Sequence, residues 1–261
     1  MENKKHKKWK LTAVSITSVV LFLFLWELVT DILHILPPTS LPSAVQVIKS
    51  FFLKWVNTDP DGQTLGHHIL ASLEVSLYGF FLGVVIGIPL GIAMGWNRKA
   101  ELIIKPVFDL LRTIPTIGWI PIMIIWFGIG VQAKACLVFL AAFIPCVLNT
   151  YSGIRQTSQV HLWVAQTFGA TRNQMLFKVA IPMAMPMIFT GLKLSLNTAW
   201  TALVAAELLG AVSGLGYMIQ IARMMVRPDI IIVGMLTIGM IGFLLSKILD
   251  YVESRMVKGG G

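Results

Sequence analysis

The sequence is short of charge. Charged residues make up 13% of its 261 residues, about half the share of an ordinary soluble domain. Hydrophobic residues make up 56% and the mean hydropathy is +0.78, which excludes an intrinsically disordered chain. Cysteine is nearly absent. Cys136 and Cys146 are the only two, and they stand in one apolar run about 15 Å apart along a helix, too far to bridge. A disulfide-built secreted fold is therefore excluded, and both read as small buried side chains. The histidines are scattered at positions 6, 34, 67, 68 and 161, which leaves no convergent cluster for a membrane enzyme or a metal. No Gly-x-x-x-x-Gly-Lys-Ser/Thr phosphate loop is present either. What charge remains leans basic, with 21 Lys+Arg against 12 Asp+Glu and a net charge of +9. It sits at the edges of apolar runs, the placement that orients a membrane protein rather than one that grips nucleic acid.

Six apolar runs are long enough to cross a bilayer, which takes about 20 residues. They cover about 11–35, 70–96, 102–127, 133–151, 186–209 and 230–251. Pro106, Pro115 and Pro121 interrupt the third, which also reads as two half-helices. Basic residues favour one side. Lys4, Lys5, Lys7, Lys8 and Lys10 precede the first span, Arg98 and Lys99 follow the second, Arg155, Arg172 and Lys178 separate the fourth and fifth, and Arg255 and Lys258 close the chain. Lys49, Lys54, Lys134, Arg223 and Arg227 lie on the other side. The bias predicts both termini in the cytoplasm. The chain therefore divides into a basic N-terminus (1–10), one transmembrane domain (11–258) and a glycine tail, 259–261, that reads as a linker remnant. The run from Leu11 is too long for a signal peptide and lacks a small-residue cleavage site, so it reads as an anchor. Between the first two spans, Pro42 to Val56 is amphipathic, with Ala44, Val45, Ile48, Phe51, Phe52 and Trp55 on one face. It reads as a helix lying on the membrane surface or covering the bundle.

In the second span Gly79, Gly83, Gly87, Gly91 and Gly95 recur every four residues, and Ser72 and Ser76 begin the series. One helix face thus has almost no side chain, and another helix backbone can approach it. Ionisable groups at membrane depth are costly and become functional candidates by default. Asp109 and Arg112 stand three apart, either as a structural ion pair or along a passage. Lys193, Asn197 and Thr201 share a face of the fifth span, with Glu207 near its end. Glu207 either bonds a neighbouring loop or joins that passage, whose charge would favour an anion.

Residues 153–184 form the longest segment on the inner side and read as two short helices. The first ends at Gly169. Thr171 opens the second with Gln174 three residues on, as in a capping box, and Pro182 and Pro186 are expected to stop it and start the fifth span. Trp163-Val164-Ala165-Gln166-Thr167-Phe168-Gly169-Ala170, followed by Val179-Ala180-Ile181-Pro182, resembles the "EAA" signature of ABC importer permeases. Ala165, Gly169 and Pro182 agree with that pattern, while Trp163 stands at the acidic position and Val164 at an alanine. Leu41-Pro42-Ser43, Ile88-Pro89-Leu90-Gly91, Trp119-Ile120-Pro121, Trp126-Phe127-Gly128-Ile129-Gly130, Leu203-Val204-Ala205-Ala206-Glu207-Leu208 and Gly214-Leu215-Gly216-Tyr217 extend the resemblance to the permeases of sulfonate/taurine and nitrate/bicarbonate importers.

The resemblance implies an all-α type I importer permease with six spans per subunit, working as a dimer in a bacterial inner membrane. Two ATP-binding subunits would dock on the inner helix pairs, through Trp163, Val164, Ala165, Phe168, Gly169, Ala170, Thr171 and Pro182. ATP and magnesium would be held by those subunits and no cofactor by this chain. An external binding protein would deliver a small anion, a sulfonate or taurine first, nitrate, bicarbonate or a pyrimidine vitamin precursor otherwise. The competing class is an ATPase-independent channel or secondary transporter, which inverted repeats would favour; the sequence displays none.

Overall fold

A computed structural model describes residues 14, 17–33 and 35–256. Within these the chain is helical, without a strand, and it forms two compact units. One falls within Met1–Gly66 and Met218–Leu236, the other within His67–Tyr217 and Thr237–Gly261. The first span lies only partly inside the described residues. Residues 17–27 are α-helical there and continue through a π turn, Leu28–Ile32, which together we name α1.

The larger unit is organised around α3 (Leu65–Trp96), α6 (Val131–Arg155) and α9 (Ile181–Leu209). The glycine series of α3 lies against α6 of the same chain. A Cβ at Gly79 would stand 2.7 Å from Val138, at Gly83 2.8 Å from Ala142, at Gly87 3.0 Å from Cys146, at Gly91 2.7 Å from Thr150 and at Gly95 2.7 Å from Ile154. Both partners recur every four residues, so two helix faces meet along five turns with backbone almost on backbone. The other side of α6 receives α9. Gly191 lies against Asn149, and Ser195 and Thr198 donate to the Ala142 and Ala141 carbonyls at 2.7 and 2.8 Å.

α4 (Arg98–Thr113) and α5 (Ile120–Phe127) are joined through a 3₁₀ turn, Thr116–Trp119, and bend by 89°. The break falls where a proline forces it. Ile114 precedes Pro115 and is extended, with φ −79° and ψ 118°, because the ring disfavours a helical residue before it. Among the described residues four helices are long and apolar enough to span a bilayer, and the bent pair makes up to five. The fifth span departs from the expected boundary. Pro182 and Pro186 do not stop a helix. α7 (Gln159–Thr167) is followed by a single turn, α8 (Arg172–Met175), and a π turn, Leu176–Ala180, carries the backbone straight into α9. Pro182 has no N–H to donate to the preceding turn, and the wider turn just before it absorbs the ring.

The smaller unit holds α2 (Ala44–Leu53), most of α10 (Leu215–Met224) and the start of α11 (Pro228–Met256). Glu27 Oε2 accepts the Ala44 N–H at 2.8 Å, and Ser43 Oγ accepts from Gln46 at 3.2 Å, so α2 is capped twice. Its apolar face is turned outward: Val45, Ile48, Phe52 and Trp55 are exposed, while Ser50 and Lys54 are buried. The polar residues go inward because partners await them. Ser50 donates to Asp229 at 2.7 Å, and Arg227 chelates the same carboxylate, which raises the Arg227 pKa above its ordinary value. Lys54 is 1% exposed. Its Nζ reaches Asp61 at 2.9 Å and the Asp59 and Gln63 carbonyls at 2.8 Å.

Candidate functional site

The helix pair α7–α8 has a buried root and a bare tip. At the root Ile154, Ala180, Ala184 and Ile188 form a core cluster against Ile88, Ile92 and Trp96 of α3, and Arg172 donates to the Trp96 carbonyl at 3.3 Å. At the tip Trp163 is 63% and Phe168 87% exposed, with Val160, Val164 and Phe177 also exposed. Burying one such side chain is worth about 1.5–3 kcal/mol, so a cluster of them left bare at the bend of a helix pair is a candidate contact surface. The turn between the helices is set locally. The Ala170 N–H bonds the Ala165 carbonyl at 3.0 Å and the Gly169 N–H the Gln166 carbonyl at 2.9 Å, with Gly169 at φ +77°. This is a Schellman stop, and glycine enters that conformation at no steric cost. Thr171 and Gln174 then close a reciprocal capping box. Gly169 and Thr171 are exposed at the bend and Pro182 at the start of α9, while Ala165 and Ala170 are half-buried.

The candidate passage residues fall in three places. Asp109 sits between two bases of α4, 2.5 Å from Lys105 and 2.8 Å from Arg112. Lys193 is held by α11, with Asp250 at 2.7 Å and Glu253 at 2.5 Å. Asn197 and Thr201 are exposed on the same side of α9, together with Thr190. Glu207 turns inward. It is 1% exposed, accepts from Ser72 Oγ at 2.9 Å and from the Gly216 N–H at 2.9 Å, and so ties α3, α9 and α10 together. A Cβ at Gly214 would come within 2.1 Å of its Oε1, so only glycine leaves room there. His68 does not face His67's side. It is buried, accepts the Gly214 N–H at 3.2 Å and lies beside Tyr217.

Sequence reasoning missed several of these partners. Lys105 carries a local signal, four residues before Asp109. Asp250 and Glu253 carry none, standing some 60 residues from Lys193. Glu101 is another omission: it is buried, and Tyr151 donates to it at 2.6 Å. Among the described residues no group of three or more His, Cys, Asp or Glu is placed to hold a metal ion.

Residues 83–258 match the family described as the binding-protein-dependent transport system inner membrane component. The chain belongs to that family. This permease is 36% identical over 260 residues to the taurine transport system permease protein TauC of Escherichia coli, covering 97% of this chain and 93% of that one. It is 33% identical to the putative aliphatic sulfonates transport permease protein SsuC of Bacillus subtilis, covering 90% and 83%. It is also 33% identical to the nitrate import permease protein NrtB of a Synechocystis strain, covering 84% and 81%. A chain of the MetNI methionine ABC transporter in an inward-facing form superposes with a TM-score of 0.59 at 20% identity, covering 75% of this permease and 95% of that chain. This last likeness concerns the fold alone, that of a type I ABC importer permease; the inner-membrane location follows from the family.

Proposed function

We propose that this permease imports a small oxyanion, a sulfonate of the taurine type first, driven by ATP hydrolysed on a separate subunit docked over α7–α8. The observation that carries the reading is the bare tip formed by Trp163, Val164 and Phe168 on a root that its own chain has already buried. Such a tip needs a partner of matching apolar shape, and the ATP-binding subunit of this transporter class is the partner of that kind. Trp163 replaces the acidic residue of the family signature, so the docking is more apolar here and less dependent on an ion pair.

Two identical copies would enclose the path, each offering the exposed polar stripe Thr190, Asn197 and Thr201 of α9. Polar side chains exposed on a membrane-spanning helix avoid lipid and face water or another polar surface. The helix pair would then lie in the cytoplasm with both termini, and the Glu207 end of α9 would face an external binding protein. This chain would bind no nucleotide and catalyse no reaction; ATP and magnesium would be held by the partner. Sulfonate takes precedence because the taurine permease matches nearly the whole chain at the higher identity.

The test is purification from the native host in mild detergent, followed by uptake in proteoliposomes. An ATPase recovered at one copy per permease, with ATP-dependent uptake of taurine or an alkyl sulfonate, is expected. Nitrate or bicarbonate uptake with the same ATPase would keep the importer and replace the substrate. Recovery of the chain alone, with ATP-independent flux, would establish a channel instead.

A further inference from the structure

α6 begins without a cap. Its N-cap residue is Gly130, which has no side chain to offer, and no side-chain hydrogen bond closes that end of a 25-residue helix. The first-turn N–H groups of such a helix carry about half a positive charge. In that same turn stands Lys134, only 4% exposed. Lysine is almost never this buried without a partner. The Lys134 N–H bonds the Gly130 carbonyl at 3.5 Å, yet among the described residues its side chain has neither a hydrogen bond nor an ion pair. Glu207 acts on it through space, but the Glu207 oxygens are already engaged by Ser72 and Gly216.

Lys134 lines a small, half-open pocket with Ile120, Ile124, Leu137, Ala206 and Gly210. The pocket has about 10 Å³ of free space, room for one water-sized group. Apart from Lys134 and the backbone, these walls are apolar. We infer that Lys134 and the uncapped start of α6 form an anion subsite, which takes one oxygen of a small oxyanion such as a sulfonate. The size of the pocket excludes burial of a whole taurine, so the rest of the solute would stay in the opening. Because α6 and α9 run antiparallel, the pocket lies at the end of the bundle away from α7–α8. In the proposed orientation that is the outer end of the larger unit. This assignment rests on the importer reading only for the identity of the anion.

The test uses the assembled importer, permease with its ATPase, purified without the binding protein. Its thermal unfolding midpoint is followed against methanesulfonate, with gluconate holding ionic strength constant. A ligand that binds only the folded protein raises the midpoint saturably. The wild type is expected to show such a rise with half-saturation at about 1–10 mM, a weak site of this kind. Lys134→Met should abolish the rise. Gly210→Ala keeps the charge and places a methyl group in the pocket, 3.3 Å from Ile124; half-saturation should weaken at least about threefold, which provides the test should Lys134→Met not assemble. An unchanged rise in either variant, or no rise in the wild type, overturns the subsite. If the wild-type rise disappears when phosphatidylglycerol replaces a neutral lipid, a lipid phosphate is the occupant and the solute assignment falls. Uptake by the same wild-type preparation is scored separately. Failure to transport any small anion while the rise persists would sink the importer reading and leave the site standing.

Discussion

Lys54 and Glu207 put ionic chemistry in places where it is expensive. Lys54 and Asp61 are 1% and 0% exposed and lie 2.9 Å apart. Removing one partner strands the other, at a cost of about 3–5 kcal/mol. Lys54→Ala should therefore lower the unfolding midpoint in detergent sharply, and Asp61→Asn added to it should restore part of the loss. Additive losses would mean that the pair is not coupled. Glu207→Ala leaves the Ser72 hydroxyl and the Gly216 N–H without an acceptor, about 1–3 kcal/mol each. It should destabilise the protein, and Glu207→Gln should do so less, because its carbonyl can still accept. If instead Glu207→Gln keeps wild-type stability and loses uptake, the residue serves the path rather than the fold. The i, i+3 spacing revealed the Asp109–Arg112 pair in the sequence. It did not reveal the ion pairs of Lys193, whose partners come from another helix, nor the burial of Lys54, because polarity in a sequence carries no direction.

At the scale of elements, the five-turn contact of α3 with α6 and the bend of α7–α8 make opposite predictions. Any side chain at Gly83 meets Ala142 at 2.8 Å and the Phe143 backbone at 3.0 Å. Gly83→Leu must force the helices apart, and little correctly assembled protein should accumulate in membranes. At Gly169 a Cβ meets nothing within 4 Å, and aspartate tolerates the left-handed backbone better than most residues. Gly169→Asp should therefore accumulate normally while uptake falls at least about tenfold, because a charge would then sit on the proposed docking face. Normal uptake would remove the bend from the docking surface. Both elements were legible, the first as a four-residue repeat and the second as a glycine stop followed by a capping box. The sequence did not say which helix met the glycine face, since close approach needs only a small-residue surface. It also misplaced the start of α9, since two prolines read as a stop where a π turn lets the helix run through.

For the whole molecule, the open question of assembly becomes a question about α9. If two copies meet along its polar stripe, Asn197→Cys in a variant lacking Cys136 and Cys146 should form a disulfide dimer on mild oxidation, because the same position repeats across a two-fold axis. A monomer band under those conditions would move the stripe away from the interface. The class of the molecule was plain from composition alone, since a chain with so little charge in such long apolar runs has only the bilayer to fold in. The unbroken passage from α8 into α9 has mechanical meaning. Arg172 to Leu209 is 38 residues of continuous helix, a rod about 57 Å long at about 1.5 Å per residue. Its far end is held by Glu207, its near end carries the bend between α7 and α8, and a π turn, Leu176–Ala180, stands beside Pro182. Pivoting such a rod by about 5° sweeps its free end through about 5 Å, roughly one helical pitch. With the Glu207 end held, a displacement of that size at the α7–α8 end reaches the opposite membrane face as a tilt of α9 rather than as a translation.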